Sequence, residues 1–179
     1  MDIVITGFAG LEGSLSIYNC TEYREKLLNR YSKSFFRVFE KPDSIYNDMQ
    51  TLDMLFKKEA AAGRAAAAGR GGVLAGLWEI MKENRLGGTY SQKDIPILQQ
   101  TVEICEVFFL NPYRLWSPGC RIWLTEDTGS VMAAAEESGV PAAVIGYTGR
   151  MVKIRRTDID VESSLRKPEG EELDRLGLT

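Results

Sequence analysis

Apolar positions recur every three or four residues through Val73, Leu74, Leu77, Trp78 and Met81, and this spacing predicts a helix from Gly72 to about Arg85. Gly87-Gly88 beyond it offers a left-handed exit. A second stripe, Leu98, Val102, Cys105 and Phe109, predicts another helix with Glu103 and Glu106 off its apolar line. Asp94-Ile95-Pro96-Ile97 leads into that helix in extended form, and Asn111-Pro112 closes it. Nearer the start, Thr21 is an N-cap followed by Glu22 and Glu25, with Leu27, Leu28, Tyr31 and Phe35 on one side until Lys41-Pro42-Asp43. Asp43 or Ser44 then caps a helix whose apolar side is Ile45, Met49, Leu52, Leu55 and Phe56.

Alternation predicts the strands. Asp2–Thr6 is β-rich, Gly7, Gly10 and Gly13 punctuate the next stretch, and Leu15–Tyr18 resumes an extended pattern. Trp116-Ser117-Pro118-Gly119 reads as a turn into a strand Cys120–Thr125, where Ile122 and Leu124 alternate with Arg121 and Trp123. Thr125 caps a helix with Glu126 and Asp127 in its first turn, Gly139-Val140-Pro141 ends it, and Ala142–Tyr147 is the next strand. Thr148-Gly149-Arg150 is a hairpin-type turn into a strand over 151–155, where Val152 and Ile154 alternate with charge. Helices and strands interleave without a regular strand–helix–strand series. The expected class is therefore a layered α+β domain with helices packed on a mixed sheet, occupying residues 1–156. Residues 157–179 are charged and poor in large apolar side chains, which predicts a loosely packed tail with at most a short helix near Glu171–Leu176.

Size and charge narrow the function. A chain of 179 residues fits one domain with a sizeable core, and 44% hydrophobic with 26% charged residues is the balance of a soluble globular protein. A net charge of −3 is too small to steer nucleic acid or an acidic membrane, so neither is an expected partner. Apolar runs such as 73–78 and 107–110 fall far short of the roughly 20 residues that span a bilayer. No signal-like segment opens the sequence, and a cytoplasmic location is expected. Cys20, Cys105 and Cys120 form no CxxC, and Cys105 and Cys120 fall at positions where burial as small hydrophobes is the ordinary outcome. The chain has no histidine, which removes Ser-His and Cys-His catalysis and most zinc sites from its own repertoire.

The candidate chemistry lies in the passage from Ala60 to Glu79, where two alanine runs give way to Gly69-Arg70-Gly71-Gly72 at the start of the first predicted helix. A glycine-rich turn feeding a helix leaves backbone N–H groups at the positive end of the dipole, which suits a phosphate or carboxylate. The pattern alone equally allows that the glycines only let the helix pack closely on a strand. Glu12, between Gly10 and Gly13, could position a ligand or could be a solvated turn acid.

Five segments taken together, VITGFAGLEGS, GGVLAGLWEI, IPILQQTVEICEVFFLNPYRL, SPG and GVPAAVIGYTG, resemble the C-terminal domain of the aminoimidazole ribonucleotide (AIR) synthetase superfamily. The likeness is to its AIR-synthase-related and hydrogenase-maturation branch. The resemblance implies that ATP and magnesium are held mainly by an N-terminal half outside this sequence, so both are expected only with that half and no cofactor is expected for this chain alone. The implied partners are a phosphorylated small molecule or nucleotide, the N-terminal ATP-binding half, or a second copy of the chain. The family covers its ligand phosphates with a loop of the type H-D-V-T-x-G-G. Gly71 and Gly72 match the paired glycines, whereas Ala66, Ala67 and Gly69 stand where the histidine, aspartate and threonine belong, and Arg70 precedes the pair. The expected ligand side is thus Gly69, Arg70, Gly71 and Gly72 with Ser117 and Gly119, holding amides and one guanidinium but neither a catalytic residue nor a metal ligand. The carboxy-terminal cysteine of the hydrogenase-maturation enzymes is also absent, since the chain ends DRLGLT.

Two functions are consistent with these residues: the phosphate-contacting half of an ATP-using AIR-synthase-like protein, not catalytic alone, or a binding or regulatory module that pairs with a separate ATP-binding chain or with itself. A stand-alone enzyme fits less well, because acids such as Asp48 and Asp53 lie on a predicted helix without a paired-carboxylate spacing.

Overall fold

Strict alternation in β1 (Asp2–Thr6) sends Ile3 and Ile5 to one face and Val4 to the other, and all three are fully buried, so this strand is covered on both sides. In the computed structural model, which describes residues 1–42, 45–46, 48–150 and 152–178, β1 is the third strand of a seven-stranded mixed sheet. The other strands are β2 (Ala65–Gly69), β3 (Gly87–Tyr90), β4 (Ser117–Thr125), β5 (Ala142–Gly149), β6 (Ile154–Arg156) and β7 (Ser163–Ser164), in the spatial order β2-β4-β1-β5-β3-β6-β7. All neighbours run antiparallel except β3 and β6. The α+β expectation holds.

Helix α4 (Gly72–Glu83) packs Val73, Leu74, Leu77, Ile80 and Met81 onto the face that carries Ile3, Ile5, Ile122 and Leu124. The opposite face, with Val4 and Trp123, is covered by α3 (Gln50–Ala61) through Leu52 and by α6 (Thr128–Glu137) through Val131, Ala134 and Ala135. A separate helical layer joins α1 (Leu11–Asn19), α2 (Thr21–Leu28), a 3-10 segment Lys33–Glu40 and α5 (Gln99–Phe108) around Ile17, Leu27, Phe36 and Ile104.

Several local expectations change. Leu15–Tyr18 is helical, not extended: Gly13 lets α1 lie against Leu115, whose side chain fills the space a Cβ would need, and Ser14 Oγ bonds Thr101 Oγ1 at 3.0 Å. The alanine run holds an edge strand, β2, where small side chains admit α4: a Cβ on Gly76 would lie 2.9 Å from Ala68 Cα. The left-handed exit of α4 falls on Arg85 (φ 53°), and Gly87-Gly88 instead open β3. Ser117–Gly119 are strand, not turn. Asp127, not Thr125, caps α6, accepting the Ser130 N–H at 3.1 Å. Phe109, counted in the apolar stripe of α5, is 83% exposed because the helix ends there in a left-handed turn, and Thr101 and Ile104 take the inner positions.

The expected hairpin after Gly149 does not form, since β3 intervenes between β5 and β6. Met151, in the strand expected there, lies outside the described residues, as do Asp43 and Ser44, the caps expected for the helix that begins at Gln50. The end of the C-terminal segment is packed, whereas much of residues 157–170 is exposed. A 3-10 turn spans Glu172–Leu176, and Glu171, Glu172 and Leu173 are buried, anchored by polar contacts that a count of large apolar residues does not register.

Candidate functional site

The turn between β2 and α4 has three residues in left-handed backbone, Gly69, Gly71 and Gly72. At Gly72 the requirement is double: φ is +68°, and a Cβ would run into the Tyr113 carbonyl and the backbone of Arg114. Helix α4 therefore begins hard against the 3-10 turn Pro112–Arg114 with Gly71 as an N-cap that has no side chain to offer. Its first amides must find partners elsewhere.

Glu171 supplies one. Its Oε2 accepts the Gly71 N–H at 2.6 Å, and its Oε1 accepts the Trp116 N–H at 2.8 Å and its own chain's Leu173 N–H at 3.3 Å. A carboxylate 5% exposed, bonded to three amides at the positive end of a twelve-residue helix, is a bound anion in every chemical respect. Around it the C-terminal segment sets acids on cations: Asp174 meets Arg70 at 2.7 Å, and Glu172 meets Arg175 at 2.9 Å and Arg114 at 3.7 Å. Arg70 and Asp174 remain largely exposed, so their pair adds at most ~1 kcal/mol, and Glu171 is the firmer anchor. Beside Arg70 a cavity of about 600 Å³ opens, walled by Ser16, Trp116, Leu173 and Leu178.

Of the six residues expected from sequence, Gly69 pairs with Ser117 in the β2–β4 ladder, which places the glycine turn beside that strand. Ser117 is fully buried and its hydroxyl is engaged, accepting the Gly10 N–H at 2.7 Å and donating to the Leu115 carbonyl at 2.6 Å. The Gly119 N–H donates to Glu12 Oε1 at 3.2 Å, and a Cβ on Gly119 would collide with that same oxygen. Glu12 is thus no solvated turn acid. Its second oxygen, Oε2, is enclosed without a partner, and burial pushes its carboxyl above the usual range, against the smaller pull of its own backbone N–H and the Gly119 N–H. Both amide positions singled out by sequence, at Gly71 and at Gly119, hold a carboxylate of the chain itself.

Sequence reasoning missed Glu171, Glu172 and Asp174 as part of this cluster. The acid-rich run was visible, but nothing local ties it to a turn one hundred residues earlier. The two expected structural cysteines are buried, and desolvation pushes the Cys105 thiol up to about 12 and the Cys120 thiol higher than its ordinary value. Chemically, the glycine turn offers hydrogen-bond donors and a guanidinium, which fit phosphate or carboxylate oxygens. They do not fit magnesium, which takes oxygen ligands, and among the described residues no group of three or more acidic or thiol side chains is placed to hold a metal.

No family model matches the sequence, and no curated protein does. Solved structures do match. HypE from E. coli, a hydrogenase maturation protein, superposes with a TM-score of 0.66 at 21% identity over 98% of this chain and 51% of its own. A HypE solved in complex with ATP gives 0.61 at 20% identity over 95% of this chain and 51% of its own. Phosphoribosylformylglycinamidine synthase II from Thermotoga maritima gives 0.53 at 16% identity over 92% and 25%. The chain spans about half the length of the HypE structures it matches. At these identities the likeness is one of fold: this chain has an α+β fold that it shares with the HypE structures and with phosphoribosylformylglycinamidine synthase II.

Proposed function

We propose that this chain is the C-terminal, phosphate-contacting half of an AIR-synthase-related, hydrogenase-maturation-like protein that uses ATP, and that it does not catalyse a reaction alone. The observation that carries this reading is Glu171 bound across the amides of Gly71 and Trp116, a carboxylate seated on donors that also suit a phosphate oxygen. A phosphate placed there would meet the same donors, the α4 dipole and Arg70, with the adjoining cavity to take the rest of a nucleotide or phosphorylated ribonucleotide. The likeness to a HypE solved with ATP supports nucleotide as the ligand class. Binding then requires Glu171 to withdraw, so the free chain holds its site closed.

The test is calorimetric titration of ATP and of a phosphorylated ribonucleotide into the chain and into Arg70→Ala and Glu171→Gln variants. Arg70→Ala should weaken binding by about 1.5–3 kcal/mol, the range for one charge-assisted anion contact. Glu171→Gln should tighten it by removing the competing charge. Heats indistinguishable among the three proteins would take the turn out of consideration.

A second reading has its own support. The amides already occupied by the chain's own Glu171 favour a binding or regulatory module that pairs with a separate ATP-binding chain or with a second copy. Light scattering after size exclusion, with the chain alone and mixed with a candidate ATP-binding partner, separates this reading from the first. A monomer that ignores the partner yet binds nucleotide excludes it.

A further inference from the structure

At the far end of α4, about 18 Å from the glycine turn by helical rise, a cavity of about 780 Å³ is lined by Lys82 and Arg85 from the helix terminus and by Arg150 and Lys153 from the connection between β5 and β6. We infer that this cavity is a second anion site, built for a small molecule that carries two or more phosphate groups.

The lining contains four cations and no carboxylate. Several other arginines of the fold are matched to acids: Arg64 to Glu59, Arg70 to Asp174, Arg121 to Asp53, Arg156 to Asp158 and Arg175 to Glu172. Among the described residues Lys82, Arg85, Arg150 and Lys153 make no salt bridge. The chain as a whole carries more acids than bases, 25 against 22, so the cavity has the opposite sign to its protein. The negative end of the helix dipole accounts for Lys82 and, one turn on, Arg85. It does not account for Arg150 and Lys153, which arrive from a connection some 65 residues later in the sequence. Like charges brought together in one concavity repel until a counter-charge enters.

The floor is apolar, made by Leu86, Ile154 and Leu165, and one wall is Trp78. The Lys82 ammonium stands 4.5 Å from the centre of the Trp78 ring and that of Lys167 6.0 Å from it, so the indole that lines the cavity already holds cations. With its ring so used, the cavity selects for charge more than for a stacking base. Its volume lies in the range of small-molecule sites. Four cations favour a di- or triphosphate over a single phosphate.

Tripolyphosphate and orthophosphate are the probes, titrated calorimetrically into the full chain, into a Lys82→Gln/Lys153→Gln variant and into Lys33→Gln, a surface lysine outside the cavity lining, with the Trp78 indole N–H followed by NMR. All the substituted groups are exposed, so the variants should fold. Tripolyphosphate should bind at least tenfold more tightly than orthophosphate, shift the Trp78 resonance, and weaken as salt rises. The double variant should lose at least tenfold, the loss expected for one or more charge-assisted contacts, while Lys33→Gln should change nothing. Absence of tripolyphosphate binding, an affinity untouched by the double variant, or equal loss in Lys33→Gln would each overturn the inference. So would binding of an acidic peptide such as oligoglutamate with no binding of tripolyphosphate, which would assign the surface to a protein partner.

Discussion

Glu171 and Gly71 are one hundred residues apart and 2.6 Å from carboxylate oxygen to amide nitrogen. That contact joins the last packed segment of the chain to the first turn of α4.

Removing the Glu171 carboxylate strands three amides, those of Gly71, Trp116 and Leu173. Glu171→Ala should therefore cost about 2–3 kcal/mol in chemical denaturation, whereas Asp174→Ala, which removes only the exposed partner of Arg70, should cost less than about 1 kcal/mol. Millimolar phosphate should raise the melting temperature of Glu171→Ala more than that of the parent, because an anion that binds only the folded form stabilises it. Equal shifts in both proteins would mean that the vacated amides do not attract anions.

Gly72→Ala and Gly69→Ala should separate a collision from a backbone preference. Both positions have positive φ, but a Cβ at Gly72 meets the Tyr113 carbonyl and at Gly69 meets nothing within 4 Å. Gly69→Ala should lose about 1 kcal/mol from the left-handed backbone alone, and Gly72→Ala clearly more, on the order of 3 kcal/mol or loss of folding. Denaturant midpoints of the two variants check the order.

Asp158 fastens the connection after β6. Its carboxylate takes both Arg156 Nε at 2.8 Å and Nη2 at 2.9 Å, along with the Gln92 and Lys93 N–H groups, and the Arg156 contact holds it far below the usual carboxylate range. A carboxyl lowered by folding contributes stability above its unfolded value and loses it as pH falls toward the folded one. Asp158→Asn should cost about 2 kcal/mol at pH 7, and its stability should fall less than the parent's between pH 5 and pH 2. Parallel pH profiles would contradict this role.

Glu12 works in the opposite sense. Burial raises its carboxyl, so the folded chain prefers the protonated form. Its contribution is greatest in acid and is lost as pH rises from the ordinary glutamate range through the raised folded value. Glu12→Gln keeps an acceptor for the Gly119 N–H and removes the charge, which should raise the melting temperature at pH 7 and leave it nearly unchanged at pH 4. A melting temperature lowered at pH 7 would show that Glu12 is held as an anion by a group supplied from outside the chain.

How much of the fold was legible in the sequence depends on where the information lies. The stripe Val73–Met81 and the alternation Ile3–Val4–Ile5 revealed α4 and β1 because burial there repeats with the period of the element. β2 was hidden because Ala65–Ala68 carries no period. It is a strand only because β4 pairs with it, and it is made of alanine because α4 comes so near. The glycines ahead of the Val73–Met81 stripe placed the turn at the head of α4. That its amides are taken by Glu171, and that Ser117 is turned to Gly10, depend on contacts across one hundred or more residues, which no local pattern records.

The late position of Glu171 matters during biosynthesis. At ordinary elongation rates the ribosome adds the hundred residues from Gly71 to Glu171 in roughly 5–20 s, so the donors of the turn exist for seconds before their own acid has been made. A nascent chain with β1, β2, β4 and α4 in place would meet cellular phosphate, or a partner protein, with that position vacant. Whatever enters first competes with a residue not yet translated.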